Sequence, residues 1–264
     1  MVNPKVTFLS MNSTKVLTEL SAKGWVCIDL PEDFCSAEES YRRHISDSLG
    51  LYAYGFKSEI LGDIASDISP KEGIVQSRKR LRGHTDASFL PFDKEWSVTD
   101  RVSVIPNYIA LHSITGSDVG TTVCHIQDIL YHMSEDEITE LSSPNFIFSL
   151  QKSFSLDSVD LPYAWKSILH FSEGAFQVRF SNSIKIYRTE KAKKCALKLS
   201  SLYQSLCQKV ALKTNQLLIV NNRRCIHGRE FISDENFDRK LHRYYLYEKE
   251  EFVIKTDKKG IMLP

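Results

Sequence analysis

Apolar and polar positions along this chain fall into two rhythms, one near 3.6 residues and one of short continuous apolar runs. The helical rhythm opens at residues 13 to 23, where Ser13 or Thr14 caps a turn and Val16, Leu17 and Leu20 form one apolar face. Gly24 ends that helix. A second helix is expected from Ser36 to Leu49, with Glu38 and Glu39 in its first turn. A third runs from Asp128 to Leu141, with Ile129, Leu130, Met133, Ile138 and Leu141 as core positions. The longest spans Thr189 to Val210 on a stripe of Ala192, Cys195, Ala196, Leu199, Leu202, Tyr203, Leu206 and Val210. The strand-like runs are residues 25–30, 106–114, 121–126, 145–150, 175–180, 216–220 and 243–247. Residues 116–120 read as a turn. Residues 52–80, rich in Gly, Ser, Asp and Lys, read as a long loop with short elements, a candidate cover over the segment around His84.

Strands do not alternate regularly with helices. The pattern therefore predicts an α+β, mainly β fold, an antiparallel barrel or sandwich with flanking helices, over a doubly wound sheet. No repeat, low-complexity stretch or linker divides the 264 residues, so a single domain over 1–264 is expected.

Composition narrows the function classes. Hydrophobic content is 42%, charged content 25% and formal net charge +1, with no basic block interleaved with aromatics. Nothing here steers the protein toward nucleic acid or an anionic membrane, and the oligomeric state is left open. The six cysteines contain no C-x-x-C pair and sit among apolar residues, as buried thiols of a reducing compartment do. The N-terminus shows no signal-peptide pattern and no apolar run approaches membrane-spanning length, so a cytoplasmic protein is expected.

The chemistry concentrates at Arg82-Gly83-His84-Thr85-Asp86-Ala87-Ser88-Phe89. In a strand, residues i and i+2 share a face, so His84 and Asp86 project an imidazole and a carboxylate side by side. Two imidazoles and one carboxylate make the facial triad of non-haem Fe(II) sites, which leaves the opposite face of the metal open. The third ligand is expected at His227, in Asn221-Asn222-Arg223-Arg224-Cys225-Ile226-His227-Gly228-Arg229.

Four pieces together carry a family resemblance: Gly83-His84-Thr85-Asp86, the Gly120-Thr121-Thr122 segment, Leu217 through Arg229, and Asp238-Arg239-Lys240-Leu241-His242-Arg243. In this order they resemble the Fe(II)/2-oxoglutarate-dependent dioxygenases of the TauD/clavaminate-synthase-like type. The resemblance implies a double-stranded β-helix (jelly-roll) core and a cosubstrate that chelates iron through its keto oxygen and adjacent carboxylate. It implies Arg239, twelve residues after His227, as the anchor of the distal carboxylate, with the Thr122 hydroxyl beside it. Arg243, four residues further on the same strand face, is assigned as a second anion anchor for a substrate carboxylate. Arg179, between aromatics in Phe176-Gln177-Val178-Arg179-Phe180, either lines the pocket for substrate or faces outward. His112, His125, His132, His170, His242 and Cys225 read as structural.

The implied chemistry consumes O₂ and 2-oxoglutarate, releases succinate and CO₂, and hydroxylates an unactivated C–H bond. Halogenating relatives lack the carboxylate that Asp86 supplies, which favours hydroxylation. A free amino acid or amino-acid derivative is the expected substrate. Desaturation or ring formation on a carrier-bound or modified substrate, and a non-catalytic metal-binding jelly roll, are the alternatives. The chain departs from the family at Lys213-Thr214-Asn215-Gln216, where Asn replaces the usual Pro-Gly-Asp turn, and residues 150–180 match no pattern that identifies a substrate.

Overall fold

The computed structural model describes residues 4–30, 47–54, 66–68, 79–92, 105–148, 165–181, 184–233 and 239–248. The fold is mostly β-sheet with few helices. Helix α1 (Pro4–Lys23) starts well before the expected cap and ends where Gly24, at φ +78°, takes a conformation that a side chain disfavours. β1 (Trp25–Asp29) follows. Most of the helix expected from Ser36 lies outside the described residues, and its end is the short α2 (Asp47–Leu49).

Two short elements lie within 52–80, as expected: β2 (Tyr52–Tyr54) and β3 (Ser66–Ile68). Both pair with β14 (Lys240–Tyr247), which explains why strands this short persist: each borrows its ladder from a long neighbour. The remaining strands of this first sheet are β5 (Tyr108–Thr115) and β12 (Gln216–Asn221). The order is β1-β12-β5-β14-β2, antiparallel throughout.

The second sheet is β11-β6-β13-β4, also antiparallel, built from β4 (Leu81–His84), β6 (Ser117–His125), β11 (Gln208–Leu212) and β13 (Cys225–Arg229). The turn expected at 116–120 is thus mostly strand, and only Gly116 lies between β5 and β6. Two further pairs lie beside these sheets: β7 (Phe146–Phe148) with β10 (Ile184–Tyr187), and β8 (Leu169–Ser172) with β9 (Ala175–Val178).

The first sheet is buried on both faces. Ile109, Leu111, Leu218, Val220, Leu241 and Tyr245 belong to the main core, whereas Ala110, Leu217, Ile219, Tyr244 and Leu246 pack with Val16 and Leu20 of α1. That double burial turns its strands into continuous apolar runs, which is why periodicity marks them without revealing which face is inward.

The helix expected at 128–141 is two: α3 (Ile126–Leu130) and α4 (Glu135–Ser142). Ser134 forms a capping box with Glu137, which restarts the helix after a break at exposed Tyr131. The long helix α5 (Glu190–Leu206), capped by Thr189, stops short of Val210, which instead belongs to β11. Asn215 sits at φ +66°, so asparagine does supply the left-handed turn into β12. Cys27, Cys124, Cys195, Cys207 and Cys225 carry free thiols, and Cys35 lies outside the described residues. Among the described residues no helix is long and apolar enough to cross a membrane.

Candidate metal centre

His84 is the last residue of β4, so the His-x-Asp motif straddles the strand end rather than lying within the strand. Asp86 opens a turn in which Ala87 takes φ +56°. Four hydrogen bonds fix that turn. The Thr85 amide donates to the Phe180 carbonyl at 2.7 Å, and the Phe180 amide donates to Thr85 Oγ1 at 3.0 Å. The Asp86 amide donates to Asn222 Oδ1 at 2.8 Å, and Asn222 Nδ2 donates back to the Asp86 carbonyl at 3.0 Å.

His227, on β13, is paired in register with His84, so the two imidazoles share a face. Their ring centroids are 4.5 Å apart. Both Nε2 atoms face one oxygen of Asp86: His84 Nε2 is 3.3 Å and His227 Nε2 is 3.7 Å from Oδ1. The three ligand atoms lie within 4.8 Å of one another, and all three residues are buried. His84 Nδ1 is 2.9 Å from the Arg82 carbonyl oxygen. A carbonyl only accepts, so Nδ1 can donate there, and Nε2 is the ring atom turned toward Asp86 and available to a metal.

The other carboxylate oxygen is occupied. Arg243 Nη1 donates to Asp86 Oδ2 at 3.0 Å, and the Tyr245 hydroxyl donates to the same atom at 3.2 Å. Burial alone would raise the Asp86 carboxyl. The Arg243 guanidinium and the two imidazoles outweigh it and hold the group well below the usual carboxylate range. Burial, then the neighbouring His84, lowers the proton affinity of His227, which favours the neutral imidazole that coordination requires. Two imidazoles and a carboxylate in this arrangement suit a divalent transition metal of the iron type.

Tyr203 of α5 backs the second sheet. A Cβ at Gly83 would come 2.4 Å from its ring, and one at Gly228 would meet its hydroxyl at 2.8 Å and the Leu81 carbonyl at 2.6 Å. The glycines beside His84 and His227 therefore let the helix approach directly behind the two ligands.

A cavity opens in front of the triad between the two sheets. Leu81, Ile109, Leu111 and Leu241 give it apolar walls, and Arg229, Arg239 and Arg243 line it with cations. Arg239 is 4% exposed. Burial, reinforced by the nearby Arg229 charge, pushes its pKa down to about 10.

The expected residues divide. His84, Asp86 and His227 come together, and Arg239 and Arg243 face the same cavity. Thr122 does not. It points to the opposite face of β6, where its hydroxyl is 2.7 Å from that of Tyr203. Thr121 lines the cavity instead, with Arg239 Nη2 donating to its hydroxyl at 3.5 Å. Strand alternation separates the two threonines, so that Thr121 rather than the expected Thr122 faces the cavity. Arg243 lines the cavity and also donates to the Asp86 carboxylate. Arg179 is fully buried, donates to the Leu90 carbonyl at 2.9 Å and stacks over Phe92, and it is not among the described cavity residues. It braces the segment after Asp86. Arg229, Tyr245 and Asn222 were missed; Arg229 and Tyr245 each stand two residues from a residue already singled out, on the same strand face.

The chain has the fold of non-haem iron oxygenases. It superposes on asparagine oxygenase, solved with Fe(II), 2S,3S-3-hydroxyasparagine and succinate, with a TM-score of 0.74 at 17% identity, covering 92% of this chain and 80% of that one. It matches the non-haem iron oxygenase OrfP, solved with Fe, succinate and (3S)-hydroxy-L-Arg, with a TM-score of 0.73 at 16% identity, over 100% of this chain and 98% of that one. OrfP solved with Fe and alpha-ketoglutaric acid matches at 0.68 and 19% identity, over 92% and 80% of the two chains. No protein-family model matches the sequence, and no curated protein matches it. The likeness read from the motifs is thus met at the level of fold.

Proposed function

We propose that this chain is an Fe(II)/2-oxoglutarate-dependent oxygenase that hydroxylates an unactivated C–H bond of a free amino acid or amino-acid derivative. One observation carries the reading: two buried Nε2 atoms converge on a single oxygen of Asp86, in front of a cationic cavity. His84, Asp86 and His227 are the iron ligands. The facing antiparallel sheets are read as a double-stranded β-helix core, within one catalytic domain over 1–264. The five free thiols accord with a cytoplasmic setting.

Bound there, Fe(II) would activate O₂, the oxidant of the overall reaction in which substrate C–H, O₂ and 2-oxoglutarate become C–OH, succinate and CO₂. The chain's own residues hold and orient the reactants. Arg243 and Tyr245 engage Asp86 Oδ2, so Oδ1 alone is turned to the metal. Arg239 and Thr121 receive the distal carboxylate of the cosubstrate. Leu81, Ile109, Leu111 and Leu241 keep water from the reacting centre. Arg243, which lines the cavity as well, is the candidate contact for a substrate carboxylate.

The amino-acid assignment is supported by the bound molecules of the structural neighbours, hydroxyasparagine, hydroxyarginine and L-arginine. The test is incubation of iron-loaded protein with 2-oxoglutarate, O₂ and a panel of free amino acids. One amino acid should gain a single oxygen with one succinate formed per product, and His227→Ala should form neither. Succinate no higher than in His227→Ala across the panel would contradict the oxygenase reading.

A further inference from the structure

The end of the cavity away from the iron ligands carries two cations where one carboxylate anchor was expected. Arg229 and Arg239 both line it, and they are 6% and 4% exposed. They come from different sheets: Arg229 ends β13 of the second, and Arg239 leads into β14 of the first. The Arg229 charge acts on Arg239, and an anion received between the two guanidiniums interacts favourably with both.

Register supplies a ruler. His227 and Arg229 are i and i+2 on β13, so they face the same side about 6.7 Å apart along the strand. Arg229 is paired with Thr121 of β6, whose hydroxyl is 3.5 Å from Arg239 Nη2. Thr121, Arg229 and Arg239 therefore gather one strand step from the metal ligands. In a five-carbon 2-oxo diacid chelating at that metal, the distal carboxylate carbon lies four C–C bonds, about 5 Å, from the first carboxylate. Arg229 is also held in place before any ligand arrives. Its Nη2 donates to the Lys79 carbonyl at 2.8 Å and its Nε to the Glu230 carbonyl at 3.4 Å.

Resting on the oxygenase reading above, we propose that Arg229 is a second cosubstrate-binding residue. With Arg239 it clamps the distal carboxylate from the two sheets, and the pair makes the site select a five-carbon dianion over a 2-oxo monoacid of equal length. Each guanidinium adds charge-assisted hydrogen bonds, which are stronger than neutral ones.

The experiment is an anaerobic titration of the Fe(II)-loaded protein with 2-oxoglutarate and, separately, with 2-oxovalerate, which has the same carbon count without the distal carboxylate. The visible charge-transfer band of the chelate reads binding, and Fe(II) affinity is measured independently. Wild type should bind 2-oxoglutarate far more tightly than 2-oxovalerate. Arg229→Gln should weaken 2-oxoglutarate by about 10- to 100-fold and leave 2-oxovalerate unchanged within about threefold, with Arg229→Lys in between. A folded, iron-loaded Arg229→Gln that binds 2-oxoglutarate as wild type does, or that weakens both acids equally, would overturn the clamp and mark Arg229 as structural. Should Arg229→Gln fail to fold, Arg229→Lys carries the same comparison. A wild type with no band for either acid contradicts the oxygenase reading itself, and the clamp with it.

Discussion

Arg243 Nη1 donates to Asp86 Oδ2 at 3.0 Å, on the side of the carboxylate turned away from the two imidazoles. This contact, with the Tyr245 hydroxyl on the same oxygen, decides which oxygen of Asp86 is presented. Outer groups of this kind typically change metal affinity by about 10- to 100-fold when removed. Tyr245→Phe keeps the buried ring and removes only the donor. We expect it to weaken Fe(II) binding within that range, measured by competition with a chelator, while its melting temperature stays close to that of wild type. Unchanged Fe(II) affinity would mean that Arg243 alone orients the carboxylate.

Adjacent threonines on β6 give opposite outcomes. Thr121→Val removes the hydroxyl beside Arg239 and should raise the 2-oxoglutarate concentration needed for half-saturation by about 3- to 10-fold, with stability little changed. Thr122→Val removes one partner of the buried Tyr203 hydroxyl, which keeps the Thr122 carbonyl at 3.3 Å, and should cost about 0.5–1.5 kcal/mol of stability without that shift. Denaturant melts and cosubstrate titrations of the two variants separate the cases. A loss of cosubstrate affinity in Thr122→Val alone would restore the original assignment of that residue.

Gly83 tests the contact behind the metal ligands. A methyl group there would meet the Tyr203 ring at 2.4 Å, so Gly83→Ala must push α5 or β4 aside. The expected cost is about 1–3 kcal/mol, together with weaker Fe(II) binding because His84 is the next residue. Chemical denaturation and metal titration read the two effects. A variant as stable as wild type would show that the helix yields freely.

The Ser134 cap is remote from the centre and serves as a contrast. Ser134→Ala breaks the capping box with Glu137 and should lower stability by about 1 kcal/mol. Fe(II) and 2-oxoglutarate affinities should match wild type, and a change in either would reveal coupling between α4 and the cavity that the contacts do not explain.

Local chemistry made much of this legible. His84-x-Asp86 and the distal His227 were readable because metal ligands need particular residue types at fixed spacing. Arg239 and Thr122 are legible through the motifs that carry the resemblance, and Arg243 through strand alternation, which puts it on the face of Arg239. Which of two adjacent threonines faces the cavity depends on the register of β6, and that is fixed by its partners β11 and β13 rather than by local sequence. Within 52–80 the sequence indicates only unspecified short elements, because three-residue strands leave no periodicity and β2 and β3 depend on β14, far away in sequence. The break between α3 and α4 was written locally in Ser134 and Glu137, but the apolar stripe of 128–141 ran across it. The Arg243–Asp86 contact joins residues 157 apart, and no local pattern encodes a side chain's choice of partner at that distance.

The most direct test of the central claim is anaerobic calorimetric titration of apoprotein with Fe(II), run on wild type and on His84→Ala, Asp86→Ala and His227→Ala. Wild type should bind one Fe(II) per chain, and each folded variant should lose that site. Equal Fe(II) binding in wild type and the three variants would place the metal elsewhere and contradict the assignment of His84, Asp86 and His227 as its ligands.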